Sequence, residues 1–439
     1  MNESTNERRA APSSFAPPRG AASEASVAAP SLKLAVIGAG PVGLALALHA
    51  AATLGDAEVT LFDARPRDKD VAADPRTLAL SLGSVQLLQR LGAWRPERAQ
   101  PILEVHVSQD APSLVAAFVP RLAEPELTIR AIDEAVPMLG AVLSYGQVVA
   151  TLQQVWRDAQ AGAPARLIDR FGTNVVAVRN AAAAVEIEDA SGIVERFDLA
   201  VVAEGGVFST AAKSELVAGE RRPALRRDYG QTAWVGVAEF APHAAGAPPH
   251  PPAVAYERFT RHGPAALLPL RDGRAGLVWC VDDRDDPVRD LDDAQRVAVL
   301  NTIFHPRTPR LATVTPLKAF ALGLRAERTL SDGRTVRIGN AAQTLHPVAG
   351  QGLNLGFRDA FELVAALAKR RDVDAVLRRL EWQRAPDRWA MIAATDFLAR
   401  SFTWSLPGLG TARGAGIAAL QRLGPVKSAI ARQMMFGSR

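Results

Sequence analysis

Apolar positions along this chain follow two rhythms. Strand-like, mainly apolar runs stand at Leu34 to Ile37, Glu58 to Phe62, Phe197 to Ala203 and Thr335 to Ile338, each ending in a polar or glycine-bearing turn. Such runs read as strands buried on both faces, as in a mainly parallel sheet. An Ala/Leu-rich stretch through His49 and Ala52 follows the first run, and Ser84 to Leu91 and the segment ending near Leu367 also read as helices. Residues 101–140 and 220–320 behave differently. Short apolar runs there alternate with turns, as in Trp234 to Phe240 and Ala265 to Leu270, which predicts a second sheet. The expected organisation is α/β, with a Rossmann-like domain from 31–100, 141–215 and 325–375. A β-sheet domain, 101–140 and 216–324, is inserted into it, and 376–439 forms a C-terminal helical region. Residues 1–30 are Ala, Ser, Pro and charge without an apolar run, and read as a disordered tail with no signal peptide.

Composition narrows the class. The chain has 439 residues, 48% hydrophobic and 22% charged, which suits a folded globular protein. The lone cysteine, Cys280, excludes an internal disulfide and a paired-cysteine metal site, and makes a cytoplasmic setting the expectation. The seven histidines are scattered in sequence, so no metal site is predicted. Leu32 to Leu54 approaches the length of a membrane span, but Gly38, Gly40, Pro41 and Gly43 break it into strand, turn and helix. The net charge of +5 does not call for nucleic acid. It is concentrated at one end: Asp396 is the last acidic residue, and Arg400, Arg413, Arg422, Lys427, Arg432 and Arg439 follow among residues such as Phe402, Trp404, Leu406, Ile417, Met434 and Met435. Basic and apolar residues so mixed suit the surface of an anionic bilayer. The competing reading is a helix pair packed on the main domain.

Gly38-Ala39-Gly40-Pro41-Val42-Gly43 fits G-x-G-x-x-G between a strand and a helix, and the next strand ends at Asp63. Gly38 permits the turn, Gly40 admits a pyrophosphate, Gly43 lets helix meet strand, and Asp63 is placed for a ribose. The phosphates would sit at the helix N-terminus, over Pro41 and Val42, where free N–H groups and the dipole favour anions. Arg76, in Asp74-Pro75-Arg76-Thr77-Leu78-Ala79-Leu80-Ser81, is either a cofactor contact or a surface charge. Glu204-Gly205-Gly206 at a strand end suits a ligand-facing turn. The run from Gly339 and Asn340 through His346, Pro347, Gly350, Gln351, Gly352, Leu353 and Asn354 is a long glycine-punctuated loop opening a helix, and can present N–H groups to an anion.

Together GAGPVG, DPRTLALS, VVAEGG and IGNAAQTLHPVAGQGLNLGFRD resemble the FAD-dependent aromatic hydroxylases. Within them, DYGQ at Asp228, YERFT from Tyr256 to Thr260, GPAALLPL from Gly263 and Leu277-Val278-Trp279 resemble the ubiquinone-biosynthesis branch, and GNAAQTLHP resembles its 2-polyprenyl-6-methoxyphenol hydroxylases. The resemblance implies a Rossmann-like FAD-binding domain with an inserted β-sheet substrate domain. It implies NADH or NADPH as transient electron donor, and O2 activated as a flavin C4a-hydroperoxide that hydroxylates a polyprenyl phenol. Gly38, Gly40 and Gly43 would hold the pyrophosphate, Asp63 the adenosine ribose, and Arg76 the phosphates or ring. Glu204 and Asn340 stand where the family usually has aspartates, and keep a polar group there. Pro347, Gly350, Gln351 and Gly352 would lie beside the isoalloxazine, with His346 close by, and Asn354 near its pyrimidine edge. The implied partners are a membrane surface at the inner face and other ubiquinone-biosynthesis proteins. A flavin reductase or dehydrogenase on the same fold, or a non-catalytic FAD-bound subunit, are the alternatives.

Overall fold

The structure is a computed structural model, and it describes residues 31–110, 124–204, 217–218, 223–242, 253–401 and 408–437. Everything below concerns the compact unit Leu32–Arg439. The predicted tail at 1–30, Gly205, Gly206, Phe402, Trp404, Leu406 and Arg439 lie outside the described residues.

The strand runs legible in the sequence assemble into one six-stranded sheet. Its order is Ser331–Asp332, Thr335–Arg337, Leu199–Val202, Lys33–Ile37, Glu58–Asp63 and Leu167–Phe171. All neighbours are parallel except the edge pair Ser331–Asp332 and Thr335–Arg337. The central strands are buried on both faces, which is why they read as unbroken apolar runs.

Eight α-helices lie among the described residues: α1 (Pro41–Thr53), α2 (Leu82–Arg90), α3 (Tyr145–Gly162), α4 (Asp293–Ile303), α5 (Gln351–Lys369), α6 (Val373–Ser401), α7 (Leu409–Arg422) and α8 (Gly424–Phe436). Helix α1 is apolar nearly all round and is buried accordingly. It packs with α3 and α5 over the parallel sheet in the largest core, around Leu34, Val36, Leu44, Trp156 and Leu363. The inserted sheet has nine strands and is mostly antiparallel, with a parallel step between Glu104–Gln109 and Val254–Thr260. Helix α4 covers one of its faces through Leu300 against Trp234 and Trp279. Strand Lys318–Ala326 and the short Gln343–Thr344 belong to this sheet, so it reaches past residue 324 into the expected FAD-domain segment.

The C-terminal helices turn much of their basic and apolar chemistry inward. Arg432 meets Glu134 at 3.6 Å, Lys427 donates to the Thr128 carbonyl at 3.2 Å, and Arg400 meets Asp396 at 3.6 Å. Arg413 donates to the Ser401 carbonyl. Ile417 packs against Phe259 and Val348, and Ala431 and Met435 join the core around Ile102 and Ile129. These helices are thus packed on the main unit, while Arg422 and Arg432 stay exposed. An apolar stripe of α8, Leu423, Val426 and Ile430, stays exposed.

The junction of α1 with the first strand is the tightest part of the fold. A Cβ on Gly43 would lie 1.9 Å from the Gly38 carbonyl oxygen and 3.2 Å from Ala203 Cβ. Gly38 itself has φ +103°, and a Cβ there would meet Glu204 at 2.9 Å. Gly43→Ala should therefore destabilise the protein by about 3 kcal/mol or more, at or beyond the usual cost of overpacking. Urea unfolding with an unchanged m-value would show it.

Candidate active site

Two helix N-termini converge beside the Gly38 turn. Val42, in the first turn of α1, touches the space above Gly339 and Gly356, and His49 further along α1 stacks on Phe361 of α5 at 4.9 Å. The helices therefore run in the same direction. Neither N-terminus has a side-chain cap or an acidic residue in its first turn. Both are left with free N–H groups and the positive end of the dipole, the requirement for an anion.

The glycines separate into two kinds. Gly38 and Gly43 are filled against the chain itself. Gly40 has only the Tyr145 hydroxyl within reach, at 3.7 Å, and nothing lies within 4 Å of a Cβ built on Gly352. Space is thus kept in front of each helix by a missing side chain. Gly350 adopts the left-handed conformation, φ +59°, that starts α5. These observations fit a diphosphate at α1 and an electron-rich ring edge at α5, as FAD requires.

Around Gly40 stand groups that the sequence reading did not single out. Tyr145 heads α3 directly after the Ser144 cap. The Arg76 guanidinium lies over its ring at 4.2 Å and is also held by Asp74 at 2.7 Å. Arg65 grips Asp63: its Nε donates to Oδ1 at 2.8 Å and its Nη2 to Oδ2 at 2.9 Å. Oδ2 also accepts the Ala39 N–H at 2.6 Å. Burial alone would raise the Asp63 carboxyl, but the Arg65 hydrogen bond and charge hold it below its ordinary range. Asp63 thus stands at the expected strand end with its acceptor positions already engaged by the chain. The only sequence signal for Arg65 was its place two residues past the strand-ending acid.

The loop from Gly339 is braced from beneath. Gly339 and Asn340 start it in a short 3-10 turn. The fully buried Arg388 donates to Gln343 Oε1 at 2.6 Å and to the carbonyls of Glu327 and Ala342. Arg384 joins Asp359 of α5 at 2.9 Å to Asp387 of α6 at 2.8 Å. Arg358 of α5 donates to the Met434 carbonyl at 2.8 Å and so caps the end of α8.

His346 is buried, away from the chamber described next. Its Nδ1 accepts the Val348 N–H at 3.2 Å, so the proton sits on Nε2 and is donated to Gln231 Oε1 at 3.1 Å. Burial holds the imidazole down at about 4, neutral at physiological pH. This arrangement fastens the loop to the inserted sheet. Asn354 is used similarly: Oδ1 accepts from Ser81 N–H at 2.8 Å and Ser84 Oγ at 2.7 Å, while Nδ2 donates to the carbonyls of Ala79 and Gly350. It ties the start of α5 to the strand Thr77–Ser81, and its polar atoms are taken up there rather than presented to a pyrimidine edge.

Above this turn lies an apolar chamber of about 170 Å³. Pro347, Gly350, Gln351 and Asn354 form its floor, Ala255, Ala266 and Val278 its sheet wall, and Ala431, Met434 and Met435 of α8 its far wall. A cavity of about 150 Å³ accommodates one benzene ring. The chamber is therefore sized for a single substituted ring. Cys280 also lines it, but burial pushes its thiol up, so it is no nucleophile.

The histidines that are scattered in sequence are not all scattered in space. His106, Glu126 and His305 bring possible ligand atoms within 4.8 Å of one another. They are engaged among themselves and their neighbours, with His106 Nε2 on Glu126 at 2.9 Å and His305 Nδ1 accepting the Arg307 N–H at 3.1 Å.

Comparison with known proteins agrees with this geometry. Residues 201–395 match a family model described as FAD binding domain. The 3-demethoxyubiquinol 3-hydroxylase of Escherichia coli is 30% identical over 406 residues, covering 90% of this chain and 96% of that one. Ubiquinone hydroxylase UbiL of Rhodospirillum rubrum is 30% identical over 413 residues, covering 91% and 88%. Among solved structures, p-nitrophenol 4-monooxygenase PnpA from Pseudomonas putida superposes with a TM-score of 0.68 at 16% identity, covering 93% and 99%. Klebsiella pneumoniae HpxO, complexed with FAD and uric acid, gives 0.66 at 18%, covering 91% and 96%. The fold is that of flavin-dependent hydroxylases, and the two 30% identical relatives set the chain among flavoprotein hydroxylases. More particularly, the chain belongs to the family of FAD-dependent hydroxylases that includes the ubiquinone hydroxylases, and is an enzyme of that kind.

His346 provides a pH test. Its folded value lies below the unfolded value near 6.5, so the unfolded chain takes up the proton first. Its contribution is complete above about pH 6.5 and is lost as pH falls toward 4. Between pH 7.5 and 5 this amounts to on the order of 2 kcal/mol of stability. Urea midpoints of wild type and His346→Gln at both pH values would measure it, with the slope reduced in the variant.

Proposed function

We propose that the enzyme hydroxylates a polyprenylated, methoxylated phenol in ubiquinone biosynthesis, using NADH or NADPH and O2. The single observation that carries this reading is the ring-sized apolar chamber directly above the Gly350–Asn354 turn. FAD supplies the redox chemistry: electrons from the nicotinamide enter through it, one oxygen atom of O2 ends in the new hydroxyl, and the other leaves as water. The chain's part is to bind, orient and exclude water. Gly38, Gly40 and the α1 N-terminus hold the diphosphate, with Pro41, Val42, Arg65, Arg76 and Tyr145 around it. Glu204 and Asn340 stand at the ribose and ribityl side. The start of α5, at Gly352 and Leu353, would offer its positive dipole end to the electron-rich edge of the reduced ring, a fixed electrostatic stabilisation. Ala431, Met434 and Met435 would screen one side of the chamber from water, which otherwise diverts the oxidising equivalents to hydrogen peroxide. A prenyl tail exceeds the chamber and has to leave it past α8.

Aerobic incubation with NAD(P)H and a prenylated methoxyphenol should give a product heavier by one oxygen in mass spectrometry. Nicotinamide oxidation without such a product would instead support a reductase. Met435→Trp should fill the chamber, lowering product per nicotinamide oxidised at least fivefold while FAD content stays unchanged.

The enzyme works in the cytoplasm, at the inner membrane face. Among the described residues no helix is long and apolar enough to cross a membrane. The exposed stripe Leu423, Val426 and Ile430 backs the same helix whose other face walls the chamber. It would rest on the lipid that dissolves the substrate, beside other proteins of the pathway. Flotation with anionic liposomes tests this, and replacing all three residues by Ser should abolish co-flotation. Equal flotation of both proteins would refute the contact.

A further inference from the structure

The segment Tyr256-Glu257-Arg258-Phe259-Thr260 is unexplained by cofactor binding. It lies in strand Val254–Thr260, in the middle of the inserted sheet. Side chains on successive residues of a strand leave opposite faces, and here the two faces meet different surroundings. Tyr256 packs edge-on against His106, with ring centroids 5.9 Å apart, and also borders the chamber. Arg258 reaches Asp110 at 2.9 Å, Glu124 at 2.6 Å and the Ile303 carbonyl at the end of α4. Glu257, between them, lines the chamber.

On the chamber side its neighbours are small and apolar. Ala266 pairs directly with Glu257, and Val278 pairs with Ala266 on the next strand. Both line the same space, and Ala255 does so two residues earlier. Among the described residues that line the chamber, Glu257 alone is an acidic or basic side chain of the Asp, Glu, Lys, Arg type. An apolar pocket with a few placed polar groups binds a ligand by its ring and orients it by those groups; Ser81, Tyr256, Gln351 and Asn354 also line this one, and Glu257 is the one carboxyl among them.

We propose that Glu257 recognises the substrate by accepting a hydrogen bond from its phenolic hydroxyl. This rests on the phenol hydroxylase reading above. The chemistry follows from what each partner offers. A carboxylate oxygen accepts, and a phenol offers one O–H donor. The bond fixes which ring carbons face the floor of the chamber. It also moves electron density from the phenolic oxygen into the ring, activating the carbons ortho and para to it. As the ring carbon forms its bond to the transferred oxygen, the phenolic proton shifts toward Glu257. It returns to the phenolic oxygen when the ring carbon loses its own hydrogen as a proton and aromaticity is restored. No oxidant beyond O2 and no reductant beyond the nicotinamide is needed.

The test uses binding, so that it does not depend on turnover. Purified holoenzyme is titrated with 2-methoxyphenol and with 1,2-dimethoxybenzene, which has the same ring without the O–H. The perturbation of the flavin absorbance is the readout. A hydrogen bond to a charged acceptor is worth about 10- to 100-fold in affinity. Wild type should therefore prefer the phenol by about that factor. Glu257→Ala should bind both compounds alike, with FAD content unchanged. Glu257→Gln, which keeps the shape and a neutral acceptor, should restore part of the preference. If Glu257→Ala does not retain FAD, the Gln variant decides: a preference reduced about tenfold supports the assignment, and an unchanged one overturns it. Equal binding of the two compounds by wild type also overturns it. Failure of the hydroxylase reading looks different, since it would show as no oxygenated product from the prenylated methoxyphenol.

Discussion

No side chain fits where α1 meets the first strand, and the rest of the site depends on that. Because Gly43 sits against the Gly38 carbonyl, the helix can begin at the edge of the sheet rather than a residue's width away. Its N–H groups are then presented at the C-terminal ends of the parallel strands, the place where open α/β sheets bind ligands. Val42, carried in the same turn, packs against Gly339 and Gly356, which brings α5 alongside in the same direction. Two like helix dipoles side by side repel each other. Here buried packing offsets that repulsion.

The site is divided between rigid anchors and free surface. Asn354 and His346 look functional as isolated residues in a polar loop. Both spend their hydrogen-bonding capacity on the chain, fastening the floor of the chamber to the strand Thr77–Ser81 and to Gln231. Gly40 and Gly352, by contrast, keep space open before the two helix N-termini. The sheet wall and α8 border the apolar chamber on the other side of that floor.

How far the sequence could be read follows from the range of each interaction. The strand runs and the G-x-G-x-x-G turn are local, so the Rossmann-like layer and the position of α1 were legible from neighbouring residues. The partner of Asn354 was not, because Ser81 and Ser84 are more than 250 residues away. The meeting of His106 with His305 depends on sheet register and on the turn after α4, which composition does not encode. The basic C-terminal stretch looked like a lipid-facing surface because charge counts carry no direction. Glu134, Asp396 and the carbonyls of Thr128 and Ser401 take up much of it.

Helix α8 has one more consequence. It follows every other described wall of the chamber along the chain, yet Ala431, Met434 and Met435 close that chamber. Arg358 of α5 donates to the Met434 carbonyl, so this far wall is fastened to the same helix whose start forms the floor. A displacement of the C-terminal end of α8 is therefore passed to the floor of the chamber through that side chain.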